Sequence, residues 1–454
     1  MPPRARFPTP FGIYVRPRPL SPDEQSALEP ELSIIHDKQS KTITISSQLD
    51  GERGRTWSSG AAFEHALSAG NTNEQVYEEV VKPVLAQVMD GATCNFFAYG
   101  HSGSGKTHTI IGYDYEDNCH LGLCLSAARD LFRAIDEEIH NTGAVADPLE
   151  QRPGVAVRIY EIRGKSAFDL LNGSSECHIR QGPDGRTHVR GKTEMLEGGK
   201  VVVRPIVAKP VWSYEDLRQI VVDGLRMRKI GSSSVHEESS RTHAFIELEV
   251  VNAGLLKARE AVIERECELV PVGKRATDVY LEEHNKSLIR TDDGRYIPNP
   301  ECPLNHDRID AAEAQKRQFE VRLEQAEETV RECFKNRRYR SLGGKFVFVD
   351  LAGSEYFDQA NAKSAQKVRQ TLQEQQQGRQ INTDLFALKE VIRARSSGQA
   401  RIPFRSSPLT MVLRSHFEGC SNGSSSIILT VSPLDTQFAA TKNTLSYGSL
   451  IGGK

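Results

Sequence analysis

Three short stretches of this sequence carry the residue types that phosphate chemistry needs. Gly100-His101-Ser102-Gly103-Ser104-Gly105-Lys106-Thr107 satisfies the pattern G-x-x-x-x-G-K-[ST] in full. Its glycines let successive backbone N–H groups curl around phosphate oxygens, at a helix start that already favours an anion. Lys106 would reach the β- and γ-phosphates, and the Thr107 hydroxyl would ligate Mg2+. The second stretch, Asp350-Leu351-Ala352-Gly353-Ser354-Glu355, follows the apolar run Phe346–Val349. A carboxylate at the C-terminal end of a buried strand is placed to hold Mg2+ through water, and the Gly353 amide to sense a γ-phosphate. D-x-x-G is weak alone and strong beside a phosphate loop. The third stretch is Ser239-Ser240-Arg241-Thr242-His243. It offers one hydroxyl to Mg2+, one to the γ-phosphate, and a guanidinium able to pair with Glu355. Taken alone, it also reads as a polar loop before a strand.

These groups need a rigid scaffold, and the hydrophobic pattern supplies one. Thr93–Tyr99 and Lys345–Asp350 read as buried strands feeding the first two motifs. Ile13–Val15, Thr42–Ile45, Val155–Tyr160, His243–Val251 and Ser425–Ser432 read as further strands. Asn73–Met89, Tyr214–Arg228 and Ile381–Arg395 show helical periodicity. The alternation predicts an α/β fold, with a central mostly parallel mixed sheet covered by helices on both faces. Residues 253–343 stand apart. They are charge-rich, with a capping-box signal at Asp310-Ala311-Ala312-Glu313 and an expected helix to about Arg338. This stretch reads as a helical module inserted between two core strands.

Composition excludes several classes. The chain has 454 residues, 58 Lys+Arg against 60 Asp+Glu, a net charge of −2, 38% hydrophobic and 26% charged residues. That is a globular mix. No run approaches the ~18 apolar residues of a membrane span, and the N-terminus has no apolar core of a secretory signal. Eight scattered cysteines fit reduced thiols in the cytoplasm. Cys267, Cys302, His306 and Cys333 share the insertion, but lack the paired spacing of a zinc site.

Together the three motifs resemble a kinesin motor domain. Phe96–Thr109 is close to the kinesin pattern FAYGQTGSGKTHT, Ser239–His243 resembles switch I (SSRSH), and Asp350–Glu355 is identical to switch II (DLAGSE). Arg16-Pro17-Arg18-Pro19 resembles the RxRP strand end. Residues 381–388 resemble INKSLxAL, and 402–410 resemble IPYRDSKLT. The resemblance spans most of residues 1–454 and implies a P-loop NTPase of kinesin motor fold. It implies ATP/ADP and Mg2+ as ligands: ATP hydrolysis stimulated by microtubules and coupled to movement. No NKxD motif for guanine is present. It places Arg16, Arg18, Pro19 and His108 at the adenine, Gly100 to Thr107 around the phosphates, and Thr107, Ser240 and Asp350 at the metal. Lys106, Ser239, Arg241, Gly353 and Glu355 become the catalytic set. It also implies a cytoplasmic, cytoskeletal location.

The departures lie elsewhere. His236 replaces the Asn that opens switch I, Tyr356 replaces a base after Glu355, and Ser406 and Pro408 replace Asp and Lys. Residues 356–416, the expected track-facing region, carry ten Lys/Arg against four acids. Such a patch draws a polyanion; microtubules fit it, and nucleic acid is disfavoured by the lack of interleaved aromatics. A mixed solvated face is the plainer reading of the charge alone. The expected alternative to a motor is a nucleotide-binding microtubule tether with weak turnover. The insertion is read as a surface elaboration, or as the site of an unknown partner. With no recognisable neck segment before Lys454, the chain is expected to be a piece of a longer protein, and direction of movement is not written in it.

Overall fold

The computed structural model describes residues 11–26, 30–47, 54–113, 120–143, 151–182, 185, 187–228, 241–292, 294–353, 372–418 and 423–452. The first half runs β1 (Gly12–Pro17), α1 (Pro22–Ser26), β2 (Ser33–Asp37), β3 (Thr42–Ser46), β4 (Thr56–Ser58), β5 (His65–Ala66), α2 (Asn73–Val80), α3 (Leu85–Met89), β6 (Thr93–Tyr99), α4 (Lys106–Ile110) and α5 (Leu123–Asn141). Next come β7 (Gly154–Arg163), β8 (Ser166–Asp169), β9 (Ser175–Gln181), β10 (Thr187–Met195), β11 (Val201–Pro205), β12 (Lys209–Val211), α6 (Tyr214–Arg226) and β13 (His243–Val251). The last part holds α7 (Ala253–Lys286), β14 (Leu288–Arg290), β15 (Tyr296–Pro298), α8 (His306–Lys335), β16 (Lys345–Asp350), α9 (Leu372–Ser396), α10 (Pro408–Glu418), β17 (Ser425–Val431) and α11 (Phe438–Gly452).

One 12-stranded sheet organises the molecule, in the order β11-β10-β9-β8-β7-β13-β16-β6-β17-β1-β5, with β12 beside β7. In its centre β7, β16, β6, β17, β1 and β5 run one way and β13 runs against them. Strands β6, β16 and β17 are mostly apolar on both sides because helices cover both faces, whereas β13 is buried throughout but alternates Glu247 and Glu249 with Ile246, Leu248 and Val250. On one face Phe97, Val349 and Leu429 pack with Leu385, Leu409 and Leu445 of α9, α10 and α11. On the other, Phe96, Phe348 and Ile428 pack with Val76, Leu131 and Val221 of α2, α5 and α6.

Two expectations need correction. Asn73–Met89 is not one helix: Pro83 lies in a 3₁₀ turn, Lys82–Val84, that separates α2 from α3. A proline there removes a backbone donor and crowds the preceding turn. The helix expected from Asp310 starts at His306, capped by Asn305, whose side chain accepts from the Arg308 N–H.

Between β13 and β16 the chain makes a long antiparallel helical pair. Helix α7 has 34 residues, about 51 Å at 1.5 Å per residue. Half-buried and buried side chains recur at three and four residues on both helices, as at Leu255, Ala258, Val262, Arg265 and Leu269, and at Phe319, Leu323, Ala326 and Val330. The pair leaves the sheet at the end opposite the phosphate loop. Val251 pairs with Gly154 at that far end, whereas Asp350 pairs with Ala244 and Ala98 at the near end. Its root is apolar: Val251, Leu255 and Leu342 pack with Val330 and Phe334. The return is fastened by Glu138 of α5, which accepts from the Arg340 N–H at 2.7 Å and the Ser341 hydroxyl at 2.5 Å.

Candidate functional site

The phosphate loop joins β6 to α4. Gly103 and Gly105 take φ of 74° and 95°, the left-handed region that favours glycine. A Cβ on Gly100 would meet Ser104 Oγ and Thr430 Oγ1 at 2.6 Å, so strand β17 closes on the loop only because the side chain is absent. The Ser104 hydroxyl donates to the His101 carbonyl at 2.8 Å and meets Thr430 Oγ1 at 2.7 Å. Lys106 is 5% exposed, and its Nζ donates to the His101 carbonyl at 2.7 Å. Burial pushes its ammonium down to about 8. A cation this desolvated gains strongly from phosphate oxygens.

Asp350 ends β16 fully buried. Its Oδ2 accepts from Thr107 Oγ1 at 2.8 Å and from Arg228 Nη1 at 2.5 Å, while Oδ1 has no hydrogen-bond partner. A hydroxyl beside a carboxylate with one bare oxygen is a hard donor set, and it fits Mg2+ that takes most of its ligands from water and phosphates. Among the described residues no three His, Cys, Asp or Glu gather to hold a metal by themselves. Gly353 lies against the phosphate loop: a Cβ there would meet Ser102 N and Cα at 2.8 Å and Lys106 Nζ at 3.1 Å. Thus Gly100, Ser102, Lys106, Thr107, Asp350 and Gly353 converge, as the spacing of the motifs suggests.

Other residues are placed differently. Arg16 is buried and donates to Thr109 Oγ1 at 2.8 Å; burial lowers its guanidinium to about 10. Arg18 grips Glu24 through both Nη atoms, at 2.6 and 2.5 Å, and Pro19 is exposed. His108 rests against Tyr113 with ring centroids 5.7 Å apart, and burial and then Arg16 push it down to about 4, so its ring is neutral. Arg241 is buried at the start of the β13 segment. Ser239, Ser240 and Glu355 lie outside the described residues, as do His236 and Tyr356.

The motif reading assigns no role to two buried groups. Arg228, just beyond α6, bonds Asp350 and also donates from Nη2 to the Thr242 carbonyl at 2.8 Å. The Thr242 hydroxyl donates in turn to Glu161 at 2.7 Å. The available signal was a lone Arg at the end of an amphipathic helix, which ordinarily reads as favouring the helix dipole. His243 Nδ1 accepts the Ala352 N–H at 3.1 Å. That bond ties the segment after switch I to the backbone next to Gly353. Burial, then Arg228 and Lys106, push this imidazole down to about 3, so it is neutral with its proton on Nε2.

The basic segment is only partly turned outward. Arg379, Arg393, Arg401 and Arg405 are exposed. Arg395 lies over Phe11 and Phe417 at 4.9 and 5.4 Å, and Arg414 donates to the Gly185 carbonyl at 3.3 Å. Lys363, Lys367 and Arg369 fall outside the described residues.

The chain is 27% identical to kinesin-like protein KIN-13A of Oryza sativa subsp. japonica and 25% identical to kinesin-like protein KIF24 of Homo sapiens. Each match covers 97% of this chain, but 40% and 23% of those proteins, so the chain spans less than half the length of these relatives. Its fold superimposes on a solved KIF14 structure, residues 391–772, a dimer in the two-heads-bound state with AMP-PNP in complex with a microtubule. The TM-score is 0.59 and the identity 18%, covering 98% of this chain and 94% of that one. The family model described as the kinesin motor domain matches residues 16–271 and 318–452, leaving out the outer part of the α7–α8 insertion. With the phosphate loop, the buried strand-end aspartate and the α/β sheet in register with that match, the chain belongs to the kinesin motor domain family.

Proposed function

We propose that this chain is an ATP-hydrolysing motor domain that binds microtubules and couples turnover to movement, with residues 253–343 inserted into a single motor domain. The observation that carries it is the meeting of Lys106, Thr107, Asp350 and Gly353 at one end of the sheet. ATP is the substrate. Gly100 to Gly105 cradle its phosphates through backbone N–H groups, and Lys106 Nζ leaves the His101 carbonyl for phosphate oxygens. Thr107, Ser240 and Asp350 would hold Mg2+, which supplies neutralisation of phosphate charge when bound. Ser239 and the Gly353 N–H orient the γ-phosphate for in-line attack by water. Glu355, paired with Arg241 when the loops close, takes a proton from that water. Arg16, Arg18, Pro19 and His108 are proposed to border the adenine; for Arg18 this requires turning from Glu24.

The exposed cations of α9 and of the segment before α10 would face the acidic microtubule. This reading implies a cytoplasmic, cytoskeletal location. Closure on the γ-phosphate would reach α9 through Ala352 and His243. The second reading, a tether with weak turnover, is favoured by Ser406 and Pro408, which put neutral residues on the track-facing side. A surface-gliding assay separates them. Filaments that move with ATP support the motor; filaments that bind and stay still support the tether; filaments that do not bind refute both.

A further inference from the structure

One buried carboxylate near the site has no part in the chemistry above. Asp384 sits on α9 and is 2% exposed. The kinesin pattern for this helix, I-N-K-S-L-x-A-L, has serine at this position, whereas the segment I-P-Y-R-D-S-K-L-T has aspartate where this chain has Ser406. The chain therefore carries a carboxylate inside, on α9. Its bonds among the described residues are neutral ones. Gln380 Nε2 donates to Oδ1 at 3.0 Å, and the Ser407 hydroxyl ahead of α10 favours the ionised carboxylate. Opposite Oδ2, at 4.0 Å, stands His243 Nε2. His243 Nδ1 already accepts from Ala352, so Nε2 carries the ring proton and aims a donor at Asp384. Arg241 lines the same cavity of about 240 Å³ from the start of β13, and Arg163 lines it from β7, where it is paired with Glu161 at 2.8 Å.

The geometry points to Asp384 as a positioning residue that couples α9 to the phosphate end of the sheet through His243. The inference rests on the motor reading of the site. At 4.0 Å the neutral Nε2–H stands beyond hydrogen-bond reach of Oδ2. A shift of α9 by about 1 Å closes the bond and links Ala352, His243 and α9 in one chain. Only the ionised carboxylate makes this a charge-assisted bond. Burial pushes the Asp384 carboxyl up to about 6, so near neutral pH it is ionised at a cost to folding. That cost is characteristic of a group kept for a task and not for stability.

A carboxyl raised above its unfolded value stabilises the folded state most below that value, and the contribution is lost as pH rises towards about 6. Asp384→Asn and Asp384→Ser therefore melt higher than the parent at pH 7. They also lose coupling. The test measures release of fluorescent ADP with and without taxol-stabilised microtubules, from about pH 5.5 to pH 7.5, alongside melting temperatures. The parent is expected to release ADP faster on microtubules at pH 7 and to lose much of that acceleration at pH 5.5. Both variants should lose about fivefold or more of it at pH 7, with a flattened pH profile. Full acceleration in both variants, or melting temperatures below the parent's at pH 7, overturns the role of Asp384. No acceleration in the parent at any pH overturns the motor reading, and the inference with it.

Discussion

The two ends of the sheet both bury charges, and they treat them in opposite ways. At the phosphate end Lys106 is satisfied by a carbonyl alone, and Asp350 keeps one oxygen without a partner. At the insertion end Glu249 is bound by Arg259 of α7 at 2.7 Å and by Arg158 at 2.7 Å, with Lys345 at 3.9 Å. Glu247 accepts from Tyr160 at 3.2 Å, with Lys345 at 3.4 Å and His416 at 3.8 Å. Burial works against ionisation of both glutamates, yet the surrounding cations outweigh it and hold Glu247 down at about 2 and Glu249 below the usual carboxylate range. The satisfied network anchors α7 to the sheet. At the phosphate end Lys106 has a single carbonyl, and Asp350, though held by Arg228 and Thr107, has one oxygen to spare, which suits a ligand that brings its own charges.

The largest expected effect breaks the comparison at the phosphate end. Lys106→Ala removes charged hydrogen bonds to two phosphates and should weaken ATP binding by about 1,000-fold, or about 4 kcal/mol. Equilibrium binding of a fluorescent ATP analogue measures it, and tight binding retained by the variant refutes the assignment. Thermal stability should hardly change, because Lys106 contributes only one bond to the loop.

Glu249→Ala should do the reverse. It leaves Arg158 and Arg259 without their shared carboxylate, which costs about 3 kcal/mol. A denaturant melt should show that loss, with nucleotide affinity within about twofold of the parent. A lower pH weakens the same network. Glutamates held below their unfolded value of 4.5 stabilise the fold above that pH, and the contribution is lost as pH falls towards about 2. Acid titration of Glu249→Gln should therefore be flatter than that of the parent between about pH 4.5 and pH 2. The smallest effect is expected at Pro271, inside α7. A Cβ on Gly199 would stand 3.7 Å from the Pro271 ring, so the turn between β10 and β11 packs against α7 at Pro271. Pro271→Ala should change stability by no more than about 1 kcal/mol, the gain in helix propensity being offset by the lost fit, and leave turnover alone.

The same contrast decides what the sequence makes legible. Motif chemistry is local: Lys106, Thr107, Asp350 and Gly353 sit at fixed spacings after apolar strands, so their convergence is readable without coordinates. Strands His243–Val251 and Lys345–Asp350 are bounded as their apolar runs suggest. Partners that meet only through topology are not readable. Arg228 and Asp350 are 122 residues apart, and His243 meets Ala352 across 109. Helix α7 hid behind Val270-Pro271-Val272-Gly273, which reads as a breaker. Packing on α8 and on β11 holds it together regardless. Helix α9 begins nine residues before the Ile381 that opens its apolar stripe, through a Gln-rich stretch with no periodic signal.

On the proposed reading, the phosphate end and the exposed arginines of α9 act as one machine. Steady-state ATPase measured with and without polymerised tubulin, at low and at raised salt, tests it most directly. Turnover should rise strongly with tubulin and fall back as salt screens the exposed arginines. ATP bound and hydrolysed at a rate that tubulin does not change would contradict it.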